Sequence, residues 1–265
     1  MKINEYMKLL FEGKLQEAEQ IRISTIPNKL IKFIWLDENE RDEKKFKTLN
    51  NNEIWFSNKK FLNDSYEFKG MIVDRQKLRN AGYSQERIDV YKKLLDLENC
   101  GITCLSDNQI DYLPMWAYYT NNHKGFCVEY DICKKSCIHE VMYETERIKI
   151  ASLFIQSKEA VKKAILTGER TEADIIAKIL LQNLFVKAET WKHEKEYRII
   201  YPIKNKDGKN VCVNNLGMRI SKIVAGINCS DTNIERLNEI SNKFNLGNCY
   251  QSRINEDRYS LDIYR

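Results

Sequence analysis

Proline and glycine are scarce: 3 and 10 residues of 265. No stretch rich in either divides the chain, so no linker between domains is expected. No internal repeat or low-complexity segment is evident, which excludes a repeat architecture. The chain also lacks a long apolar run. Its most apolar stretch, Ile175 to Val186, is interrupted by Lys178, Gln182 and Asn183, so nothing is expected to span a membrane. Met1-Lys2-Ile3-Asn4-Glu5 carries no apolar signal core, and a cytoplasmic protein is expected. Charge of one sign is lacking too. The balance is 43 basic to 38 acidic residues, net +5, too mild to argue for nucleic acid by itself.

Eight cysteines are present, scattered and without a secretory signal, and are read as reduced thiols. Cys133, Cys137 and His139 lie close in sequence but lack a second ligand pair at zinc spacing, so inert cysteine is favoured and no metal is expected. Hydrophobic residues at 43% and aromatics at 11% suffice for a real core.

Apolar spacing predicts helices over 4–22, 84–98 (N-capped by Ser84), 157–166, 171–189 and 232–244. Asp37 to Asn52 reads as a loop with a short surface helix. Strands are predicted at 30–35, 53–57, 101–106, 126–131, 140–143, 194–202, 211–213, 220–227, 249–253 and 258–264. Asp207-Gly208 signals a hairpin between the strands on either side of it. Helices and strands do not alternate as βαβα. The expected fold is therefore α+β with a mostly antiparallel sheet, residues 1–29 forming an amphipathic helix and linker before a single domain over 30–265.

The chemistry concentrates in Trp191-Lys192-His193-Glu194-Lys195-Glu196-Tyr197-Arg198, which runs into Ile199-Ile200-Tyr201. If a strand starts near Glu194, its period of two places Glu194, Glu196 and Arg198 on one face, and Lys195, Tyr197 and Ile199 on the other. Two carboxylates and a guanidinium are costly to bury unpaired, so that face is expected to line a polar cleft. Paired carboxylates oriented by an Arg can serve as acid or base. Were 171–196 one helix, Glu194–Arg198 and Lys192–Glu196 would instead be i,i+4 surface pairs with no chemistry implied.

Elsewhere, Asn63-Asp64 favours a turn that could hold Asp64 and Glu67 at a pocket rim, although Asp64 and Glu67 also have capping-box spacing for a helix start. Met115-Trp116-Ala117-Tyr118-Tyr119 suits stacking on a planar ring, or a half-buried core. His123 is the histidine with a pocket address, and Lys32 sits in an apolar strand.

Three pieces stand in order: I-W-F-S followed by F-L-N-D-S-Y-E, then M-W-A-Y-Y-T-N-N-H-K-G-F-C-V-E-Y-D, then F-V-K-A-E-T-W-K-H-E-K-E-Y-R. Together, over about residues 30–264, they resemble a bacterial family known as domain-of-unknown-function family 2971, with Ser65-Tyr66 where that family has Pro-Phe. By order and chemical type the chain also resembles, more remotely, ADP-ribosyltransferase-like domains with their split antiparallel sheet. That resemblance implies NAD as the nucleotide substrate, Glu196 stabilising an oxocarbenium-like state, and Glu194 activating an acceptor or serving structurally. It implies Trp116 or Tyr119 stacking nicotinamide, Ser57 and Lys32 meeting ribose or phosphate, and Arg198 orienting a carboxylate or pyrophosphate. The acceptor is left open between protein, nucleic acid and water, and a toxin or anti-phage defence role is loosely suggested. Two other classes stand beside it. Asp64, Glu67, Glu194 and Glu196, with Lys195, could gather a metal for nuclease chemistry. Alternatively, a non-catalytic cleft could bind a nucleotide or partner.

Overall fold

The computed structural model describes residues 3–94, 99–151, 163–168, 171–204 and 207–265. Ten strands among these join one large, mostly antiparallel sheet. Its centre is β1 (Lys29–Ile34) against β5 (Phe126–Ile132), which pairs in turn with β12 (Met218–Ala225). Beyond β12, β13 (Tyr250–Ile254) joins in parallel and β14 (Leu261–Tyr264) antiparallel.

On the other side lies β4 (Cys100–Ser106), whose two edges differ. One edge is fully paired to β10 (Glu196–Pro202), from Glu196 opposite Ser106 to Pro202 opposite Cys100. The other edge is shared. β1 meets it at Ser106, and β2 (Glu53–Asn58) meets it at Ile102 and Gly101, so the sheet forks over residues 103–105. β6 (Ile138–Glu140) extends the sheet beyond β10. Two small parallel pairs stand apart: β3 (Met71–Val73) with β8 (Ile148–Ile150), and β7 (Met142–Glu144) with β9 (Val186–Ala188).

Alternation along the strands explains how the two faces are covered. Leu30, Val128, Ile223, Tyr197 and Ile199 point to one face, where Phe46 and Leu49 of helix Glu40–Asn50 and Leu237 and Ile240 of helix Asp231–Lys243 seal the main core. Ile102, Cys104 and Ile200 point to the other, under Phe68, Met142, Leu184, Phe185 and Val186. Further along that face, Trp116 packs on Ile31, Cys127 and Val224.

Several expected elements are redrawn. The single helix over 4–22 is two, Ile3–Phe11 and Leu15–Ser24, because Gly13 takes φ +74° and turns the chain. The helix over 84–98 runs Gln85–Leu94, with Arg87 N 3.4 Å from Ser84 Oγ, and its last residues lie outside the described ones. Of the helix expected over 157–166, residues 157–162 lie outside them as well, and 163–167 are helical. The helix over 171–189 ends at Leu181; a 3-10 turn, Gln182–Phe185, then gives way to β9. The strand over 140–143 is two short strands in different sheets, divided at Val141.

The hairpin at Asp207-Gly208 does not form. β11 (Gly208–Cys212) crosses to pair with β2, Gly208 opposite Ser57, and β10 has no contact with it in the ladder. The glycine serves close approach. At φ +148°, a Cβ there would stand 2.2 Å from Phe56 O and 2.5 Å from the Trp55 ring. Gly208→Ala is expected to lower stability by about 1–3 kcal/mol, the usual size of a backbone forced from its well. A urea midpoint unchanged from the wild type would refute this account of the glycine.

Candidate functional site

Glu196 and Arg198 do share a face of β10, alternating with the core residues Tyr197 and Ile199. Glu194 reaches them by another route. It ends a 3-10 turn, Glu189–Glu194, and Lys195 follows in the left-handed conformation at φ 44°, ψ 55°. The strand therefore begins at Glu196 rather than Glu194, and that one reversed residue folds Glu194 back beside it. The end of β4 clamps the reversal. Ser106 Oγ donates to Glu194 O at 2.7 Å, Asn108 Nδ2 donates to His193 O at 2.8 Å, and Asp107 N donates to Lys195 O at 3.0 Å.

What these carboxylates meet is a lysine that strand spacing alone does not announce. Lys187 of β9 sets its ammonium 2.5 Å from Glu194 Oε2 and 3.0 Å from Glu196 Oε2. Arg198 closes the other side, its Nε 2.7 Å from Glu196 Oε1 and its Nη2 3.1 Å from Glu196 Oε2. The remaining Nη1 lies 2.6 Å from Glu67 Oε1 and donates to Leu184 O at 2.7 Å. Three carboxylates and two cations thus form one chain of contacts. Tyr143 adds a hydroxyl that accepts from Glu196 N at 2.8 Å.

The expected open cleft is instead a closed centre. Glu194 is 3% exposed, Glu196 4%, Lys187 6% and Arg198 fully buried. The electrostatics follow. Burial alone would raise the Glu196 carboxyl, but Arg198 and Lys187 outweigh it and hold the pKa at about 2. Lys187 is raised despite its burial, by Glu196 and Glu194. Glu67 is raised because burial outweighs its contact with Arg198.

One end of this centre reaches the surface. The half-buried Tyr119 donates its hydroxyl to Glu194 Oε1, and Asn63 Nδ2 lies 3.4 Å from that hydroxyl. Burial and the neighbouring Glu194 raise the Tyr119 pKa, so it remains a donor. Beside it stands an aromatic rim. His193 lies between Tyr118 and Trp191, ring centroids 6.4 and 6.2 Å away, and Lys187 Nζ sits 4.9 Å from the Trp191 ring centre. His193 Nδ1 is 3.1 Å from Thr190 O. A carbonyl only accepts, so Nδ1 carries a proton, and in a neutral ring Nε2 is the lone-pair nitrogen. That Nε2 is buried and without a hydrogen-bond partner among the described residues.

The other expected site residues fall elsewhere. Trp116 is fully buried, donates Nε1–H to Ile110 O at 2.6 Å and packs edge-on to Phe33, so it is core and no stacking platform. His123 stacks on Trp116 at 6.2 Å and has no contact with the carboxylates. Lys32 reaches into the fork of the sheet, donating to Thr103 Oγ1 at 3.0 Å and Cys104 O at 3.3 Å. Thr103 pairs with Ile199, on the face opposite Glu196, so Lys32 joins from behind the sheet. Ser57 lies opposite Ile102, four residues along β4 from the partner of Glu196, or roughly 13 Å. Asp64 makes the turn: its Oδ1 accepts from Tyr66 N at 2.8 Å, no helix follows, and Glu67 is delivered to Arg198.

For a divalent ion, Glu67, Glu194 and Glu196 have the right chemistry, but Lys187 and Arg198 fill the space between them and already neutralise two of the three charges. Cys133 is exposed, Cys137 Sγ lies 3.4 Å from Leu216 O, and His139 stacks on Phe185 at 4.2 Å, so these three do not converge either. Among the described residues no group of three or more His, Cys, Asp or Glu is arranged to hold a metal, and no helix is long and apolar enough to cross a membrane.

No curated protein and no solved structure matches this chain. The I-W-F-S and F-L-N-D-S-Y-E pieces lie outside the one family match, which is narrower than the resemblance drawn over 30–264. Residues 115–199, which hold Tyr119, Lys187, Glu194, Glu196 and Arg198, match the family model described as "Protein of unknown function (DUF2971)".

Proposed function

We propose that the protein binds NAD at the aromatic rim beside Tyr119 and releases nicotinamide from it, as an ADP-ribosyltransferase-like enzyme or an NAD glycohydrolase. The observation that supports this reading is one buried acidic pair beside a rim of rings, Tyr118 exposed and Trp191 half-buried, and joined to it through the Tyr119 hydroxyl. Tyr118 and Trp191 offer flat faces to a planar base.

Cleavage of the bond from ribose C1′ to the nicotinamide nitrogen sends the electron pair to that nitrogen. Nicotinamide leaves neutral, and positive charge gathers on the sugar. A fixed carboxylate close to C1′ stabilises that charge. The acceptor's lone pair then closes on C1′ and its proton departs to solvent. Both carboxylates are held, Glu196 by Arg198 and Lys187 and Glu194 by Lys187 and Tyr119; Glu194 is the one joined to the rim through Tyr119, so we assign it to C1′ and Glu196 to positioning. The fork at β4, with Lys32 in it, is compatible with the split sheet of ADP-ribosyltransferases. Consumption of NAD would suit a toxin or an anti-phage defence protein.

The test is incubation with NAD, with and without EDTA, following free nicotinamide by mass. Release that ignores EDTA is expected, and Glu194→Gln should slow it by about 10²–10³-fold, the usual effect of removing one preorganised stabilising group. Absence of both nicotinamide release and NAD binding would end this reading.

A further inference from the structure

We infer that the surface next to this site, from Trp55 to Tyr66, binds a single-stranded nucleic acid. Single exposed apolar residues are ordinary, whereas a cluster of large exposed aromatics marks a surface that something covers. Here three stand exposed within twelve residues: Trp55 at 41%, Phe61 at 57% and Tyr66 at 58%. Cations accompany two of them. Lys60 Nζ lies 4.6 Å from the Phe61 ring centre, and Arg147 Cζ lies 5.9 Å from that of Tyr66. Trp55 lies against Gly208, next to Asp207, whose carboxylate is 3.2 Å from Lys60 Nζ, so Trp55 and Phe61 belong to one patch. Arg147 Nε donates to Lys69 O at 2.6 Å, which ties the second pair to the same turn.

The sign of the charge on this surface is set by where the segment sends its acids. Glu67 is turned inward onto Arg198, and Asp64 directs Oδ1 to the backbone of Tyr66 while its Oδ2 is buried. Lys60 and Lys69 stay outside, Lys60 facing the exposed Asp207 and Lys69 donating to Ser65 O at 2.8 Å. Exposed rings interleaved with cations suit bases that stack and phosphates that pair. A duplex keeps its bases stacked on each other and offers these rings nothing, so the occupant is a single strand. An apolar protein partner would not use the cations, and an acidic one would not use the rings. The surface is continuous with the rim through Asn63, which reaches Tyr119. Binding here does not depend on NAD chemistry.

The experiment is fluorescence anisotropy of a labelled oligo(U) and oligo(dT) of about 12 nucleotides, a span within known single-strand site sizes, titrated with the full chain at low and at physiological salt. Saturable binding is expected, weakened by salt and several-fold tighter than to a duplex of equal length. Phe61→Ala and Tyr66→Ala should each weaken it about tenfold, the order found for single stacking rings. Lys60→Gln should flatten the salt dependence. All three positions are exposed, and matching thermal melts would show that each variant is folded. No binding at low salt would overturn the proposal. So would equal affinity for the duplex, or affinity that depends on salt yet ignores Phe61→Ala and Tyr66→Ala, since either marks charge attraction alone. Binding by a protein that fails to turn over NAD would uphold this inference while removing the NAD reading.

Discussion

Lys187→Met is expected to destabilise the protein by about 3–5 kcal/mol, the range for removing one member of a buried ion pair. The ammonium is the shared partner of Glu194 and Glu196, at 2.5 and 3.0 Å, and both carboxylates are buried. Without it Glu194 keeps only the Tyr119 hydroxyl, and Glu196 keeps Arg198. An uncompensated buried carboxylate must then take a proton, admit water or force the turn Glu189–Glu194 open. Methionine fills a similar volume, so lost packing contributes little and the loss reports the charge. The measurement is urea unfolding at neutral pH, with Lys187→Arg beside it. Arginine restores the charge but not the point geometry, and is expected to recover part of the stability. A loss below about 1 kcal/mol in Lys187→Met would mean that the centre behaves like a solvated surface pair, and the closed arrangement would be wrong.

The same lysine marks where sequence reading stops. Glu196 and Arg198 could be placed on one face because the period of a strand is local, and Tyr197 and Ile199 need the core on the other. Extending the strand to Glu194 puts it on that face too, yet it arrives through the left-handed Lys195, a reversal with no glycine to announce it. Apolar spacing runs on through Leu184 and Phe185 and so extends the expected helix over Lys187. Those two residues are buried in a 3-10 turn instead, and β9 is only three residues long, held by β7 more than forty positions away. A lysine directly after the apolar run Leu184-Phe185-Val186 is itself a signal, since a buried ammonium needs a carboxylate partner. Asp207-Gly208 misled for the related reason that a hairpin is the local solution, whereas β11 pairs with a strand some 150 positions earlier. The aromatic run at 115–119 split according to helix geometry. Trp116 points into the core, and Tyr118 and Tyr119 face the rim.

Acidification offers the second large effect, and His139 should lead it. Burial lowers its imidazole most, Arg22 lowers it further and Lys178 adds to this, while Glu19 opposes; together they hold it at about 3. The ring stacks on Phe185 at 4.2 Å, and the Arg22 guanidinium, fixed by Ser136 O at 2.9 Å, guards the neutral form. The folded pKa lies below the unfolded value of 6.5, so as pH falls through 6.5 the unfolded chain takes the proton and the folded one refuses it. Stability must therefore drop with acid, by at most about 1.4 kcal/mol per pH unit. Glu196 acts in the same direction, but lower. Its pKa of about 2 against 4.5 means that its contribution is intact above pH 4.5 and lost on the way to 2. Between pH 6.5 and 4.5 His139 thus acts without Glu196 and is expected to remove about 2–3 kcal/mol. Burial lowers His123 as well, so the wild-type slope alone does not isolate His139. The difference from His139→Phe does, because phenylalanine keeps a ring on Phe185 and cannot titrate. Unfolding free energies at the two pH values should converge in that variant by the amount His139 contributes. Equal slopes in the two proteins would show that His139 is solvated in the folded state and that the contact between β6 and Phe185 is open to water.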